Sequence, residues 1–174
     1  MSEIKVNKIK SQQGSDAFTI ASDGAVTTNY LPAWRIGRDT DFNVNASASW
    51  TRMEWDGRDI AAENLFMQNV TYSSGNIAVP VAGIYQINAT CRFDGLTADS
   101  GYLILSLQRN DIRDGLSDTY FLQEPASASY HSASLSDVFK LEANDQVSVY
   151  VYSSNDTSWH ISNNVSTFSG VRIG

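Results

Sequence analysis

The feature that most constrains this chain is an alternation of apolar and polar residues with a period of two. From Ile84 to Phe93, the residues Tyr85, Ile87, Ala89, Cys91 and Phe93 fall on one side, and Gln86, Asn88, Thr90 and Arg92 on the other. Successive side chains of a strand point to opposite faces, so this register predicts a strand with one face in a core. Tyr102 to Arg109 repeats it with Leu103, Leu105 and Leu107, and Gln146 to Tyr152 with Val147, Val149 and Val151. Tyr150 and Tyr152 lie opposite those valines, where they could cover a second, subunit-facing surface. From Ala128 to Leu141 the period slips near Val138, Phe139 and Leu141, which predicts a bulge. Further strands are expected at Trp34 to Gly37, Trp50 to Trp55, Asn64 to Val70 and Ser166 to Ile173. No helical spacing of apolar residues is sustained anywhere. Many short strands separated by Asp, Gly, Asn and Pro make an all-β chain, a sandwich or jelly roll.

The 174 residues suit one domain with a short extension, and 42% apolar content suffices for a core. Residues 1 to 30 differ from the rest: Ile4, Val6, Ile9, Phe18, Ile20 and Val26 are spaced by Gly and Asp. Such short pieces cannot build a core alone. They read as an N-terminal stem or docking peg, or else as a partly ordered leader, leaving residues 31 to 174 as the head domain.

Charge and cysteine content remove several classes of function. The net charge of −7, with basic residues scattered singly, disfavours nucleic acid, whose binding relies on clustered cations. The single cysteine, Cys91, excludes an intrachain disulfide and is expected as a buried hydrophobe. No stretch is long and apolar enough to suggest membrane insertion, and the polar opening Met1-Ser2-Glu3-Ile4-Lys5 predicts a protein made in the cytoplasm without a signal peptide. The five Asn-x-Ser/Thr sequons therefore read as composition.

Four motifs then occur in order. Asn76-Ile77-Ala78-Val79-Pro80-Val81-Ala82-Gly83-Ile84-Tyr85-Gln86-Ile87 resembles the F-x-V-P-x-x-G-x-Y-x-F segment of the globular head of complement component 1q and its tumour-necrosis-factor-like relatives. Leu105-Ser106-Leu107-Gln108-Arg109-Asn110, Leu141-Glu142-Ala143-Asn144-Asp145-Gln146-Val147 and Thr167-Phe168-Ser169-Gly170-Val171 resemble three further segments of that superfamily. Asn144 stands where the family has Gly, a position where left-handed backbone is tolerated by Asn. The resemblance implies a jelly roll of two antiparallel sheets, assembled as a homotrimer. The 19 aromatic residues give such an assembly apolar surface to bury. No collagen-like stem precedes the head. Instead Ser2 to Ile9 and Phe18 to Thr27 are similar to the N-terminal stems of phage tail fibre proteins. That second resemblance implies a virion protein with three partners: itself as a trimer, another tail or baseplate protein through the stem, and a host cell-surface glycan or outer-membrane receptor.

Catalytic signatures are absent from the sequence: there is no His-Glu-x-x-His, Gly-x-Ser-x-Gly or phosphate-binding glycine loop. The two histidines, His131 and His160, lie on separate segments. Asp111, Asp114 and Asp118 superficially suggest calcium, but the spacing is not that of an EF-hand and reads as a solvated turn, so no cofactor is expected, with calcium, which the resemblance allows, as the alternative that no motif supports. The alternatives to a non-enzymatic binding module are a glycan depolymerase using an Asp/Glu pair, or a structural collar or decoration protein.

Strand parity predicts where contacts to a receptor would be. If the last strand ends on the stem side, counting back through antiparallel strands puts Val81 to Gly83, Asn110 to Ser127 and Ser153 to Val165 at the distal tip. The two longer loops mix carboxylates and amides with aromatics. They nominate Asp118, Tyr120 and Phe121 in one, and Asn155, Asp156, Trp159 and His160 in the other, as receptor-binding residues. Phe121 and Trp159 are alternatively loop anchors.

Overall fold

The computed structural model describes residues 8–10, 16–20, 26–27, 31–44, 49–56, 65–96, 101–122, 130–154, 159–163 and 165–174. The chain divides into two compact units, Met1–Leu31 and Pro32–Gly174. The first holds a three-stranded antiparallel sheet of β1 (Lys8–Lys10), β2 (Asp16–Ile20) and β3 (Val26–Thr27), in which Ile9 pairs with Phe18 and Ile20 with Val26. Four of the apolar residues that set this stretch apart in the sequence are thus cross-strand neighbours, while Ile4 and Val6 lie outside the described residues.

The second unit begins with β4 (Ala33–Gly37), β5 (Phe42–Val44), β6 (Trp50–Arg52), β7 (Phe66–Gln68), β8 (Thr71–Ser73) and β9 (Asn76–Ala78). It continues with β10 (Gly83–Asp94), β11 (Tyr102–Arg109), β12 (Asp118–Leu122), β13 (Tyr130–Leu141), β14 (Gln146–Ser153), β15 (Trp159–Ile161) and β16 (Thr167–Arg172). These form two antiparallel sheets, with no helix among the described residues. In the larger, β13 lies along one edge of β10. β15 and β16 share the other edge as a broken strand, followed outward by β5 and β4 and then β7. The smaller runs β12-β11-β14-β9-β8, with β6 also on β14.

The core between the sheets is made by the residues that the alternation singles out: Tyr85, Ile87, Cys91, Phe93, Leu103, Leu105, Leu107, Val147, Val149 and Val151 are all buried. Trp34 meets Phe168 edge-on at 5.6 Å, and Trp55 stacks on the same ring at 5.8 Å. Aromatics of this size dominate core energetics. They also explain the glycine of the last motif: a Cβ on Gly170 would lie 2.3 Å from the Trp34 ring. Cys91 donates a weak hydrogen bond to the Met53 sulfur at 3.4 Å, and burial pushes its thiol pKa up, so it packs as an inert hydrophobe.

No bulge interrupts β13. It pairs with β10 without a shift from Leu141 opposite Gly83 to Tyr130 opposite Asp94. The apparent slip in period arises because Asp137 occupies a position in line with the buried Ala133 and Leu141, where its carboxylate accepts from the Ser117 hydroxyl, while Val138 faces outward at 57% exposure.

Both ends of this unit lie at one pole, where the Arg172 amide bonds the Pro32 carbonyl at 3.0 Å and the Ile84 amide bonds the Gly174 carbonyl at 2.8 Å. The turns at 79–82, 110–117 and 142–145 lie at the same pole, joined by Val79 N–H to Asp145 O at 3.0 Å and Asn110 N–H to Gln146 O at 2.8 Å. The far pole is where β10 and β14 end and β13 begins. The distal placement of Val81–Gly83 and of the segment after Asn110 is therefore reversed. The cause is β12: Asp118 to Leu122 is a strand paired with β11, and one uncounted strand inverts the direction of every strand before it. The connection after β14 keeps its place at the far pole, because β15 and β16 run the same way along β10.

Candidate functional site

The residues expected to form a receptor contact are dispersed. Trp159 is 2% exposed, paired with Val44 and packed against Phe93 at 5.3 Å between ring centroids. It is a core anchor and not a surface contact; the polar loop around it has no core of its own, but the neighbouring strands β5 and β10 supply one. His160 sits beside Asn43 and Asp94 in register, half-buried, with Nε2 3.7 Å from the Asp41 carboxylate. His131 pairs with Phe93 on the other edge of β10, so the two histidines flank the end of one strand. Asn155 and Asp156 lie outside the described residues. Tyr120 and Phe121 pair with Ile104 and Leu103 in the ladder of β12, and their side chains lie outside what is described. Asp118 is not a free acid either: its side chain is 1% exposed and takes hydrogen bonds from Arg113 Nε at 2.8 Å and Nη2 at 2.5 Å.

Two features gather functional groups instead. The first is the turn between β11 and β12. Asn110 and Asp111 have φ of 54° and 59°, and the Ile112 amide bonds the Arg109 carbonyl at 2.9 Å, the geometry of a type I′ turn for which Asn and Asp are suited. The Asn110 amide donates to Asp145 at 2.7 Å and its oxygen accepts from the Gln146 amide at 2.8 Å, so two separate sequence motifs meet here. That amide, with the Glu142 backbone N–H and nearby Arg109, holds the Asp145 carboxyl below its ordinary range despite some burial. Asp114 accepts from the amides of Leu116 at 2.9 Å and Ser117 at 3.3 Å, closing the turn. What the turn presents is apolar: Ile112 is 69% and Leu116 87% exposed. Between it and β13 opens a cavity of about 500 Å³, bounded by Arg109, Ile112, Leu116, Asp137, Val138 and Lys140.

The second feature is the outer face of the smaller sheet. Trp50 lies 5.2 Å from Tyr152, Tyr152 stacks on Tyr102 at 5.8 Å, and the Arg113 guanidinium sits 4.6 Å over the Trp50 ring. Beside them Asp111 accepts from Arg52 at 3.1 Å and from the Tyr150 hydroxyl at 2.9 Å. Burial and then the Asp111 carboxylate raise the Tyr150 pKa. Asp111, Asp114 and Asp118 thus serve three different partners, and no group of acidic, His or Cys side chains suited to a metal ion occurs among the described residues.

This sandwich, with its β9–β10, β11, β13–β14 and β16 motifs in register, matches the model of the TNF (Tumour Necrosis Factor) family over residues 53–172. The chain belongs to the TNF family. A crystal structure of murine APRIL at pH 8.0 has the same fold, with a TM-score of 0.59 and 14% identity over 82% of this chain and 99% of that one. No curated protein sequence matches. Within this TNF-like head, the exposed turn residues Ile112 and Leu116 and the basic pair Arg109 and Lys140 escaped sequence reasoning. The Asn110-Asp111 turn signal was visible, but its spatial neighbour β13 was not.

Proposed function

We propose that this chain is a non-enzymatic, homotrimeric binding module, the receptor-binding tip of a phage tail fibre. On this reading residues 1–31 attach it to another virion protein, and the head contacts a host-surface glycan or outer-membrane receptor. The observation that carries the reading is the outer face of the larger sheet. Across β13, β10, β16 and β4 its middle row is Ser136, Asn88, Ser169 and Arg35, and the next row is Val138, Gln86, Val171 and Ala33. Ser136, Asn88 and Ser169 keep the centre of the face low, Phe66 stands exposed beside Arg35 in the middle row, and toward the chain-end pole the face exposes Val138, Val171 and Ile173. Exposed apolar residues gathered on one face of a sheet support an interaction site there, and membership of the TNF family supports three-fold self-assembly. The tail-fibre assignment rests on the similarity of the N-terminal stretch and on its folding as a unit of its own.

Native mass spectrometry of the full chain at micromolar concentration tests the assembly, with three copies expected; a monomer would remove the reading. Adsorption of the purified protein to host cells, and loss of virion assembly without loss of adsorption on deleting residues 1–31, test its biological setting.

A further inference from the structure

The turn at 110–117 closes the outer face of the smaller sheet only in part. Ile104 is buried there, but the aromatic residues beside it stay within reach of solvent: Tyr102 is 40% exposed, and Trp50 and Tyr152 are half-buried. Strand register sets these rings in a row. Trp50 lies opposite Tyr152, Tyr152 opposite Ile104, and Tyr102 is the next residue of β11 on the same face. The rings form a continuous strip with centroid steps of 5.2 and 5.8 Å. Its free end is fixed by backbone: the Tyr102 amide donates to Ser154 Oγ at 3.0 Å, and the Ser154 amide to the Tyr102 carbonyl at 3.0 Å. A surface already held in place loses little freedom when a ligand settles on it.

The strip lies on the opposite side of the sandwich from Val138 and Val171, so the assembly proposed above leaves it uncovered. It stands at the pole where β14 ends and β11 begins, away from Pro32 and Gly174. Its rings are apolar on their faces and polar at their tips, with the Tyr102 and Tyr152 hydroxyls hydrogen-bonded together and an indole N–H on Trp50. The cations beside it are already neutralised. Arg113, 4.6 Å over the Trp50 ring, pairs with Asp118 at 2.5 Å, and Arg52 pairs with Asp111 at 3.1 Å. Such a surface has no net charge to draw a charged ligand, and Arg113 occupies the ring face that a ligand cation would otherwise seek.

We infer that this strip is a saccharide-binding site and that its ligand is a neutral oligosaccharide of hexopyranose units laid along Tyr102, Tyr152 and Trp50. A pyranose ring is apolar on its C–H faces and carries hydroxyls around its rim. One ligand of this kind therefore meets both the ring faces and the phenol, indole and guanidinium groups at their edges. Strand addition by a peptide is not open here, because β11 and β14, which carry two of the rings, are each bonded along both edges. This assignment rests on the binding-module reading and narrows it to one ligand class and one face. In a three-fold assembly three strips act together, so weak single contacts are multiplied by avidity.

The probes are soluble hexaoses of glucose, galactose, mannose and N-acetylglucosamine, titrated to millimolar concentration into the full-length protein. Trp34, Trp55 and Trp159 are buried, so acrylamide quenching of tryptophan fluorescence reports on Trp50 and should fall when a hexaose covers it. Tyr102→Ala should weaken the binding by roughly tenfold or more, whereas Tyr102→Phe, which keeps the ring, should stay near the parent. Both variants should keep the parent's native mass, since Tyr102 is the exposed first residue of its strand. Failure of all four hexaoses to protect Trp50 in the parent, a test that needs no variant, would overturn the inference. Equal binding by the parent and Tyr102→Ala would do the same, as would displacement of a bound hexaose by choline chloride, which would make the strip a cation site. Adsorption to host cells that depends on Tyr102, survives periodate treatment of the cells and is lost to protease would make the occupant a protein and overturn it too. If trimers form and adsorb to cells while no hexaose protects Trp50, the strip is not the site and the binding-module reading stands. A monomer that fails to adsorb removes the reading and this assignment with it.

Discussion

The two sheets of the head treat their outer faces in opposite ways. On β11, Ile104, Ser106 and Gln108 point away from the core, yet they are 3%, 0% and 4% exposed. The turn at 110–117 folds back over them, fastened by Asp111 to Tyr150 and by Arg113 across Trp50. On β13 the corresponding outward residues Ser132, Ser134, Ser136, Val138 and Lys140 all stay exposed. The same period-two pattern therefore leads to a face closed by its own chain in one sheet and an open face in the other. Long aromatic and charged side chains make closure possible on the smaller sheet by giving a loop something to grip. The serines of β13 offer no such grip, and Ser132, Ser134 and Ser136 stay exposed, whereas, among the described residues, Arg92 on the neighbouring strand stacks only on Tyr130 of the same sheet.

The strongest test of this contrast lies beneath the open face. Trp159→Ala should cost about 3–5 kcal/mol of folding free energy in a denaturant titration, as for other buried Trp truncations. Binding to cells should fall only in step with folding. A variant that folds with parental stability yet loses adsorption would make Trp159 a contact after all and break the account of the far pole.

Arg113→Ala should open the closed face. It removes the cation over Trp50 and the ion pair to the Asp118 carboxylate, a loss of about 1–3 kcal/mol, kept below the range for fully buried pairs because Arg113 is 36% exposed. Trp34, Trp55 and Trp159 are buried, so acrylamide quenching of tryptophan fluorescence reports chiefly on Trp50 and should rise in this variant.

Acid should loosen one pin on each sheet. Burial alone would raise the Asp56 pKa, but hydrogen bonds from the Thr40 hydroxyl and the Asp39 and Thr40 amides, together with Arg38, bring it below its ordinary value. Asp145 is lowered as well, mainly by Asn110. A carboxyl lowered in the folded state contributes stability that is present above its unfolded pKa, near 4, and lost as pH falls through the folded value. Thermal melts should therefore drop below about pH 4, and Asp56→Asn and Asp145→Asn should each flatten that acid limb. An unchanged limb in both variants would show that neither carboxylate fastens its loops.

The smallest effect on folding and the clearest on assembly is expected from Ser169→Arg in the middle of the open face. Surface changes of this kind alter stability by about 0.5 kcal/mol or less, whereas an added cation beside Arg35 should abolish the mass of the proposed trimer. A trimer that survives would place the assembly interface elsewhere.

Much of this architecture was legible in the sequence. Leu103, Leu105 and Leu107 are buried as their spacing required, and Asn144, with φ of 73°, takes the left-handed backbone expected of a residue standing where the family has Gly. The site was less legible. Asp118 to Leu122 contains Tyr, Phe and Leu in a run too short to declare itself a strand, and overlooking it moved the Asn110 turn to the wrong pole. Trp159 looked stranded in polar sequence because the residues that bury it, Phe93 and Val44, are far away along the chain.

What the sequence by itself determined is everything that depends on residues within a few positions of one another: which side of each long strand is apolar, where a turn needs Asn, Asp or Gly, and that no helix competes. Those preferences act through local backbone sterics and side-chain alternation, so they are written in short stretches. Only the tertiary structure decided which face a loop covers, which end of the sandwich each turn occupies, and that Arg109 and Lys140 share a groove with Asp114 and Asp137. These depend on the number and order of strands, and a single short strand is enough to reverse them because antiparallel direction is inherited from neighbour to neighbour.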